Sequence, residues 1–259
     1  MADRELEGKM IIVPARIDDV QTGLKNATEL SGYHLGDRSE TTLVDRYFDT
    51  RTGEFAQRRI ALRVRGSDGS EFITLKGPSI ADGQVQKRLE VEREMSPESI
   101  GEIIAKLADF GILIERVGLS PPADEMQSHE LVEISKRETC RTTRTVSRVG
   151  DNVPVAELAV DRVTFHAHTT SDGEAAGRSV LHGEVEVEAV GNGSVEVVTD
   201  VLEALSKKFP GALQPSPHSK LAIANALDQL ADSGRLASFL EEGGSLSTAG
   251  YIEIDRLLN

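Results

Sequence analysis

The chain has 259 residues, 39% of them hydrophobic and 28% charged, a composition typical of a folded globular protein and not of a disordered one. Its 29 Lys and Arg against 43 Asp and Glu give a net charge of −14, which, with 4% aromatic residues, argues against nucleic acid and anionic membranes as partners. The single Cys140 excludes an internal disulfide framework and a multi-cysteine zinc site, and no apolar run approaches the roughly 20 residues that span a bilayer.

In chain order, alternating runs bounded by turn residues predict eight strands, and apolar residues at helical spacing predict four helices. The predicted elements are a strand over 5–13, a helix over 18–30, strands over 42–49, 59–65, 71–76 and 85–94, a helix over 96–108, strands over 131–149, 155–165 and 180–190, helices over 194–209 and 218–230, and one or two short helices beyond residue 233. Turns such as Asp68-Gly69 and Asp82-Gly83 join consecutive strands as hairpins. We therefore expect an α+β fold, a closed or nearly closed antiparallel eight-stranded β tunnel with helices packed outside.

The first residues, Met1 to Glu5, do not resemble a signal peptide, so we expect a soluble cytoplasmic protein. Cys140 is expected to be a small buried hydrophobe. Because the chain is strongly acidic, an anionic ligand must be bound by a local basic cluster or through metal ions.

Several predicted strands carry charge on one face, because side chains at i and i+2 point the same way. Arg63 and Arg65 share a face, and Glu184, Glu186 and Glu188 share another. A solvated outer face is the ordinary explanation for one such strand, but here carboxylates and cations cluster on different strands. Turned inward, these faces would line a polar tunnel in which cations bind phosphate oxygens and carboxylates bind divalent metal. The apolar residues between them should then lie outside, beneath the helices: Leu6, Val64, Leu75, Val185 and Val187.

An ordered series of motifs runs through these strands. It comprises Glu5, Glu7 and Lys9 as Glu-x-Glu-x-Lys, Tyr47-Phe48-Asp49-Thr50, Leu62-Arg63-Val64-Arg65, Thr74-Leu75-Lys76-Gly77-Pro78, the strand from Arg88 to Glu94, Lys136-Arg137, Asp161, the alternating Glu184, Glu186 and Glu188, and Ser219-Lys220-Leu221. With this series the sequence resembles the CYTH superfamily, the triphosphate tunnel metalloenzymes, over about residues 5 to 225. The resemblance implies a tunnel domain over 1–232, and we expect a helical C-terminal extension over 233–259.

The resemblance also implies a metal-dependent hydrolase of inorganic triphosphate or of a triphosphorylated organic compound. The substrate-binding cations it implies are Lys9, Arg63, Arg65, Lys76, Arg137 and Lys220. The Mg²⁺ or Mn²⁺ ligands it implies are Glu5, Glu7, Asp161 and one or more of Glu184, Glu186 and Glu188. The general base would be Lys9 or a glutamate. We choose Glu92 as that glutamate, although the sequence does not distinguish it from Glu90 on the same strand.

Other readings of these motifs remain open. A class IV-type adenylate cyclase acting on ATP would use the same tunnel, and so would a non-catalytic module that binds polyphosphate or nucleotide. Arg137, Arg141 and Arg144 compete for one tunnel position; Arg137 is preferred, and Arg141 shares its face. The expected partner is a small molecule containing triphosphate, with no nucleic acid and no membrane, and a homodimer is left open.

Overall fold

A computed structural model describes residues 4–114, 131–166 and 179–259. The strands are β1 (Arg4–Ile12), β2 (Glu29–Leu30), β3 (Tyr33–Thr50), β4 (Ala61–Ser67), β5 (Ser70–Lys76), β6 (Ile80–Asp82), β7 (Val85–Glu94), β8 (Leu131–Arg148), β9 (Pro154–His166), β10 (Ser179–Ala189) and β11 (Leu213–Pro215). The α-helices are α1 (Ile17–Asn26), α2 (Glu54–Gln57), α3 (Pro97–Asp109), α4 (Val195–Lys208), α5 (Lys220–Asp232) and α6 (Thr248–Leu258). Within the described ranges, no helix combines the length and apolarity needed to cross a bilayer.

Eight antiparallel strands form a ring in the order β1-β10-β9-β8-β3-β4-β5-β7, and β7 pairs back with β1. The closure is uneven because β1 divides its length between partners: Arg4 to Gly8 pair with β7, and Glu7 to Ile11 pair with β10. Glu7 therefore lies between Gln86 and Glu188. The predicted α+β fold with a nearly closed antiparallel tunnel is confirmed.

One predicted boundary is wrong. The helix predicted over 18–30 ends at Asn26, and Glu29–Leu30 forms β2, which pairs with the start of β3. Ser31 and Gly32 adopt positive φ between them and reverse the chain, so that Leu30 and Tyr33 are both buried as extended neighbours. A tight hairpin thus overrides the helical spacing of this segment and lengthens β3 toward its N-terminus.

The outer face of the ring carries the larger part of the apolar core. Val185 and Val187 pack beneath α1 and α4, and Leu6 lies against the same cluster. Val64 and Leu75 pack beneath α3 in a separate cluster. These five residues lie outside beneath helices, as the alternation predicts, and leave the intervening charged positions facing inward.

The last two helices cover the inner face at one end of the ring. Three apolar residues lie on the same inward faces of their strands as the charged residues, because they are separated from them by an even number of positions: Ile11, Val163 and Val180. They nevertheless form an apolar core with α5 and α6. The tunnel is therefore charged along part of its length and filled by apolar side chains beyond it. Cys140, by contrast, is exposed on β8 rather than buried, because its position faces outward between the inward Thr139 and Arg141.

Gly8 lets α4 approach β1 closely. A Cβ at Gly8 would lie 2.4 Å from Leu202 Cδ1 and 3.1 Å from Val198 Cγ1. We expect Gly8→Ala to lower the free energy of unfolding by about 1–3 kcal/mol through overpacking, measured by urea denaturation. Gly66→Ala on β4 is the control, because its nearest atom would be 3.9 Å away. Equal stability of the two variants would contradict this packing.

Candidate functional site

The ring encloses a cavity of about 700 Å³ whose lining is mostly charged, here called the tunnel cavity. The predicted site residues that line it are Glu5, Glu7, Lys9, Arg63, Arg65, Lys76, Glu92, Arg137, Glu186, Glu188 and Lys220. The two remaining predicted residues, Asp161 and Glu184, are completely buried behind this lining and contact Lys220. The structure therefore brings every predicted site residue to one place.

Three of the predicted metal ligands form an acidic cluster. Asp161, Glu184 and Glu186 can each offer a carboxylate oxygen such that all three lie within 4.8 Å of one another. The cluster arises because β9 and β10 pair with Asp161 opposite Glu184, and Glu186 follows on the same face. Carboxylate oxygens at this spacing are hard ligands of the kind that Mg²⁺ and Mn²⁺ prefer.

Two cations neutralise the acidic cluster. The ammonium of Lys220, at the first position of α5, lies 3.0 Å from Asp161 Oδ2 and 2.7 Å from Glu186 Oε1, and it also contacts Glu184. Arg141 donates to Asp161 Oδ1 at 2.8 Å and to Oδ2 at 2.6 Å. Burial alone would raise the pKa of Asp161 and Glu186, but Lys220 and Arg141 hold both below their ordinary values.

The glutamates of β1 face the same cavity and are paired with different cations. Glu5 accepts from Lys76 at 2.9 Å and from Arg88, while Glu7 accepts from Arg88 at 2.7 Å. Lys9 lies 2.8 Å from Glu7. Each β1 carboxylate therefore has a cationic partner when no ligand is present.

The pKa of Glu188 is shifted upward, in contrast to those of Asp161 and Glu186. It pairs in register with Glu7 on one side and with Glu157 on the other, so three glutamates stand in a row. Burial, followed by the charges of Glu5 and Glu90, raises the pKa of Glu188 to about 8. Negative charge is thus in local excess at this part of the tunnel cavity.

Asp45 organises the arginines on the other side of the cavity. Its carboxylate accepts from Arg65 at 2.7 and 3.0 Å and from Arg137 at 2.8 and 3.2 Å, and Arg63 Nη1 lies 3.8 Å away. Burial would raise the pKa of Asp45, but Arg63, Arg137 and Arg65 hold it well below its usual range. We call these three arginines the arginine cluster.

The arginine cluster keeps unused donors. In the ranges that the structure describes, Nε of Arg63 and Nη1 of Arg137 are the buried side-chain atoms with no hydrogen-bond partner. Both guanidinium groups are buried, with 5% and 3% of the residue surface exposed. A buried charged donor without an acceptor is costly, so these N–H groups point to an anion that the cluster receives.

The two predicted catalytic residues differ from what a general base requires. Burial lowers the pKa of Lys9, but Glu7 and Glu186 raise it overall, so its ammonium keeps the proton. Burial raises the pKa of Glu92, but Arg63 and the Thr74 hydroxyl lower it overall. A cation that holds its proton and a carboxylate of lowered pKa suit charge stabilisation better than proton abstraction.

The structure shows which of the three β8 arginines, Arg137, Arg141 and Arg144, face the tunnel cavity. Arg137 and Arg141 both line the tunnel cavity. Arg144 turns outward, where it donates to the carbonyl oxygens of Leu24 and Ala27 at the end of α1 and to those of Leu35 and Gly36. Arg144 therefore satisfies backbone carbonyl groups at the end of α1 and the start of β3, a role that no local motif indicates.

Sequence reasoning did not assign Asp45, Tyr47, Arg88 and Glu157 to the site, whereas Arg141 is one of the three arginines that it left open. Strand parity places each of them on the inward face; Asp45 and Tyr47, for example, alternate with Arg46, and Arg88 alternates with Leu89 toward Glu90. Asp49, at the end of the aromatic motif, has a structural role, because it accepts from the backbone N–H groups of Phe55 and Ala56 in α2.

A second cavity of about 440 Å³ opens beside the first and shares Glu7, Lys9, Lys76 and Arg88 with it. Apolar and polar groups mix in the rest of its lining, with Phe48, Ile60 and Leu258 beside His218 and Asn225, and Leu221 lines both cavities. A ligand held by the cations of the tunnel cavity could thus extend a larger, partly apolar group into this space.

We expect Asp45→Asn to lower the free energy of unfolding by about 3–5 kcal/mol at neutral pH, because it leaves the arginine cluster without its buried counter-charge. The folded pKa of Asp45 is depressed, so its contribution is complete above the unfolded value near pH 4 and is lost as pH falls through the folded pKa. Denaturation from pH 3 to 8 should therefore show a constant difference that shrinks only below about pH 4. The control Asp109→Asn, exposed on α3, should change stability by less than about 0.5 kcal/mol.

A family model, the CYTH domain, matches residues 5–213. The structure is similar to that of a Hippeastrum adenylyl cyclase candidate described as having a dominant triphosphatase activity, at 20% identity over 86% of this chain and 95% of that chain, with a TM-score of 0.53. It is also similar to an adenylate cyclase candidate from Bacillus halodurans, at 18% identity over 85% of this chain and 97% of that chain, with a TM-score of 0.50. A search of curated proteins finds no match. The structural likeness supports the fold, and the match of the family model over most of the sequence shows that the chain belongs to the CYTH domain family.

Proposed function

We propose that the protein is a metal-dependent hydrolase that cleaves a phosphoanhydride bond of inorganic triphosphate or of a triphosphorylated organic compound. The observation that carries this proposal is the pair of unpartnered, buried guanidinium N–H groups of Arg63 and Arg137. In a chain with a net charge of −14, buried cationic donors that lack an acceptor favour an anion as their ligand.

The distribution of cations favours a long polyanion over a single phosphate. Arg63 and Arg137 stand by Asp45 on one side of the cavity, and Lys220 and Arg141 stand by the acidic cluster on the other. Lys9 and Lys76 line the same cavity. A triphosphate, with about four negative charges near neutral pH, would reach several of these groups at once. The dominant triphosphatase activity described for the similar Hippeastrum protein supports the same substrate class.

The residues present fit a divalent metal ion. Asp161, Glu184 and Glu186 supply three clustered oxygen ligands, and Glu5, Glu7 and Glu188 bring further carboxylates toward the cavity. Burial and the neighbouring carboxylates of Glu5 and Glu90 raise the pKa of Glu188, and a bound cation would lower it again. Mg²⁺ or Mn²⁺, when bound, would neutralise phosphate charge and polarise a phosphoryl oxygen.

The protein's own groups would act mainly by positioning and by stabilising charge. Arg63, Arg65 and Arg137 suit bidentate contacts with phosphate oxygens, whereas Lys9, Lys76 and Lys220 act as point charges. In hydrolysis, a water oxygen bonds to the terminal phosphorus while the bond from that phosphorus to the bridging oxygen breaks. The products are orthophosphate and the diphosphate leaving group, and each takes up one of the two protons of the water. Negative charge on the transferred group and on the leaving oxygen would be met by these cations, so no nucleophilic serine or cysteine is required.

An adenylate cyclase is the second candidate, favoured by the adjoining 440 Å³ cavity with its apolar residues Phe48, Ile60 and Leu221, which could take a nucleobase. The two candidates differ in their products. Orthophosphate release from inorganic triphosphate, thiamine triphosphate and ATP should be measured with Mg²⁺ and with Mn²⁺, together with cyclic AMP. We expect orthophosphate; cyclic AMP without orthophosphate would establish the cyclase, and tight triphosphate binding without any product would establish a non-catalytic module.

We expect Arg63→Ala to lower kcat/KM for triphosphate by roughly tenfold to a hundredfold, the equivalent of about 1.5–3 kcal/mol for a lost charge-assisted contact. The matched control is Arg46→Ala, because Arg46 pairs with Glu133 on the outer face of β3. Steady-state phosphate release from both variants checks this expectation. An equal loss in Arg46→Ala, or none in Arg63→Ala, would contradict the assignment of the phosphate-binding side of the cavity.

A further inference from the structure

The C-terminal segment contributes a buried polar residue to the end of the tunnel. This segment, 233–259, lies beyond the residues matched by the family model. Its helix α6 packs with α5 on the inner face of β9 and β10, through Tyr251 and Ile254. The contact brings the hydroxyl of Tyr251 to an otherwise apolar core directly behind the acidic cluster.

A chain of three hydrogen-bonded side chains runs from α6 to the tunnel. The Tyr251 hydroxyl lies 2.7 Å from Nδ1 of His182, and Nε2 of His182 lies 3.1 Å from Oε2 of Glu184. The other oxygen of Glu184 contacts the ammonium of Lys220. His182 is 1% exposed and Glu184 is not exposed at all, so the hydrogen bond between these two side chains is shielded from solvent.

The direction of these hydrogen bonds follows from the groups involved. A carboxylate oxygen of Glu184 accepts a hydrogen bond, so we assign Nε2 of His182 as the donor to it and Nδ1 as an acceptor. Tyr251 must then donate to Nδ1, and burial, followed by the charges of Glu184 and Glu241, raises the pKa of its phenol so that it keeps its proton. Each oxygen of Glu184 is thereby held by a defined donor, His182 on one side and Lys220 on the other.

Burying the polar groups of His182 and Tyr251 in this core costs folding free energy. His182 lies against Phe165 and Tyr251, with ring centroids 5.9 and 5.7 Å away, in a core otherwise built from residues such as Val180 and Ile223. Apolar side chains would fill such a space with no polar group to satisfy. A fully satisfied tyrosine–histidine–glutamate chain instead fixes the carboxylate rotamer, which is the usual role of outer hydrogen bonds around a metal ligand.

We propose that α6 is a positioning element of the active site: Tyr251 orients His182, and His182 holds Glu184 in the geometry that the metal ion and Lys220 require. This inference rests on the proposed function for the identity of the ion. A second contact anchors the same helix near the site. Nε2 of His218, two residues before Lys220 in the chain, lies 2.9 Å from Oδ1 of Asp255 in α6. The C-terminal segment would thus belong to the catalytic apparatus and not merely extend the tunnel domain.

The test uses Tyr251→Phe in the full-length protein, with Tyr33→Phe as the matched control. Tyr33 is also buried, and its hydroxyl donates to Asp200 at 3.1 Å on α4, outside the ring. Mn²⁺ affinity and inorganic triphosphate affinity are measured by calorimetry, and thermal unfolding is followed without ligand. We expect Tyr251→Phe to weaken Mn²⁺ binding by about tenfold to a hundredfold, with a shift in Tm no larger than that of Tyr33→Phe.

Coupling to Glu184 separates positioning from a general structural role. Glu184→Gln should weaken Mn²⁺ binding by itself, and adding Tyr251→Phe to it should cause little further loss, because Tyr251 acts through that carboxylate. Independent, additive losses would overturn the proposal, as would a Tyr251→Phe variant that binds Mn²⁺ like Tyr33→Phe.

Failure of the proposed function gives a different result. If the wild-type protein binds no Mn²⁺, the metal requirement is wrong, and the same five proteins are compared by triphosphate affinity, which depends on Lys220 held by Glu184. A loss in Tyr251→Phe that vanishes in the Glu184→Gln background would still support positioning by α6. Unchanged triphosphate affinity in Tyr251→Phe would then overturn it.

Discussion

The structure depends on compensating charges that the closure of the sheet forces inside. Because side chains alternate along each strand, a ring whose outer face is covered by helices must turn its other face inward. In this chain that face carries Lys, Arg, Asp and Glu, and burying any of them alone would cost several kcal/mol. Each wall of the cavity therefore pairs cations with carboxylates: Asp45 with the arginine cluster, and Lys220 and Arg141 with the acidic cluster.

The compensation is incomplete in two places, and these places suggest how the site works. Nε of Arg63 and Nη1 of Arg137 have no acceptor, while Glu188 is buried beside Glu5 and Glu90, which together with burial raise its pKa. A polyanion would satisfy the first and a cation the second, so the two deficiencies fit a complex of triphosphate with a divalent metal ion.

The apolar end of the tunnel extends the same principle to the C-terminal helices. Where the inward positions change from charged to apolar, at Ile11, Val163 and Val180, α5 and α6 replace water and ligand as the covering layer. His182 lies at this boundary and connects the two environments through its two ring nitrogens. Lys220 also connects the charged and the apolar environments. It is the first residue of α5, which packs in the apolar core, and its ammonium contacts Asp161 in the charged part of the cavity.

The sequence by itself determined the face of each strand, the hairpin order and the charged character of the interior, because alternation and turn chemistry are local. Glu5, Glu7, Lys9 and Arg63 could be placed on the inward face in this way, and parity alone could also have found Arg88 and Asp45. Only the tertiary structure decided which of these groups meet. Asp45 became the centre of the arginine cluster, Arg144 turned to the end of α1, and Tyr251 reached His182 across the ring, because strand register, closure and helix docking join residues far apart in the chain.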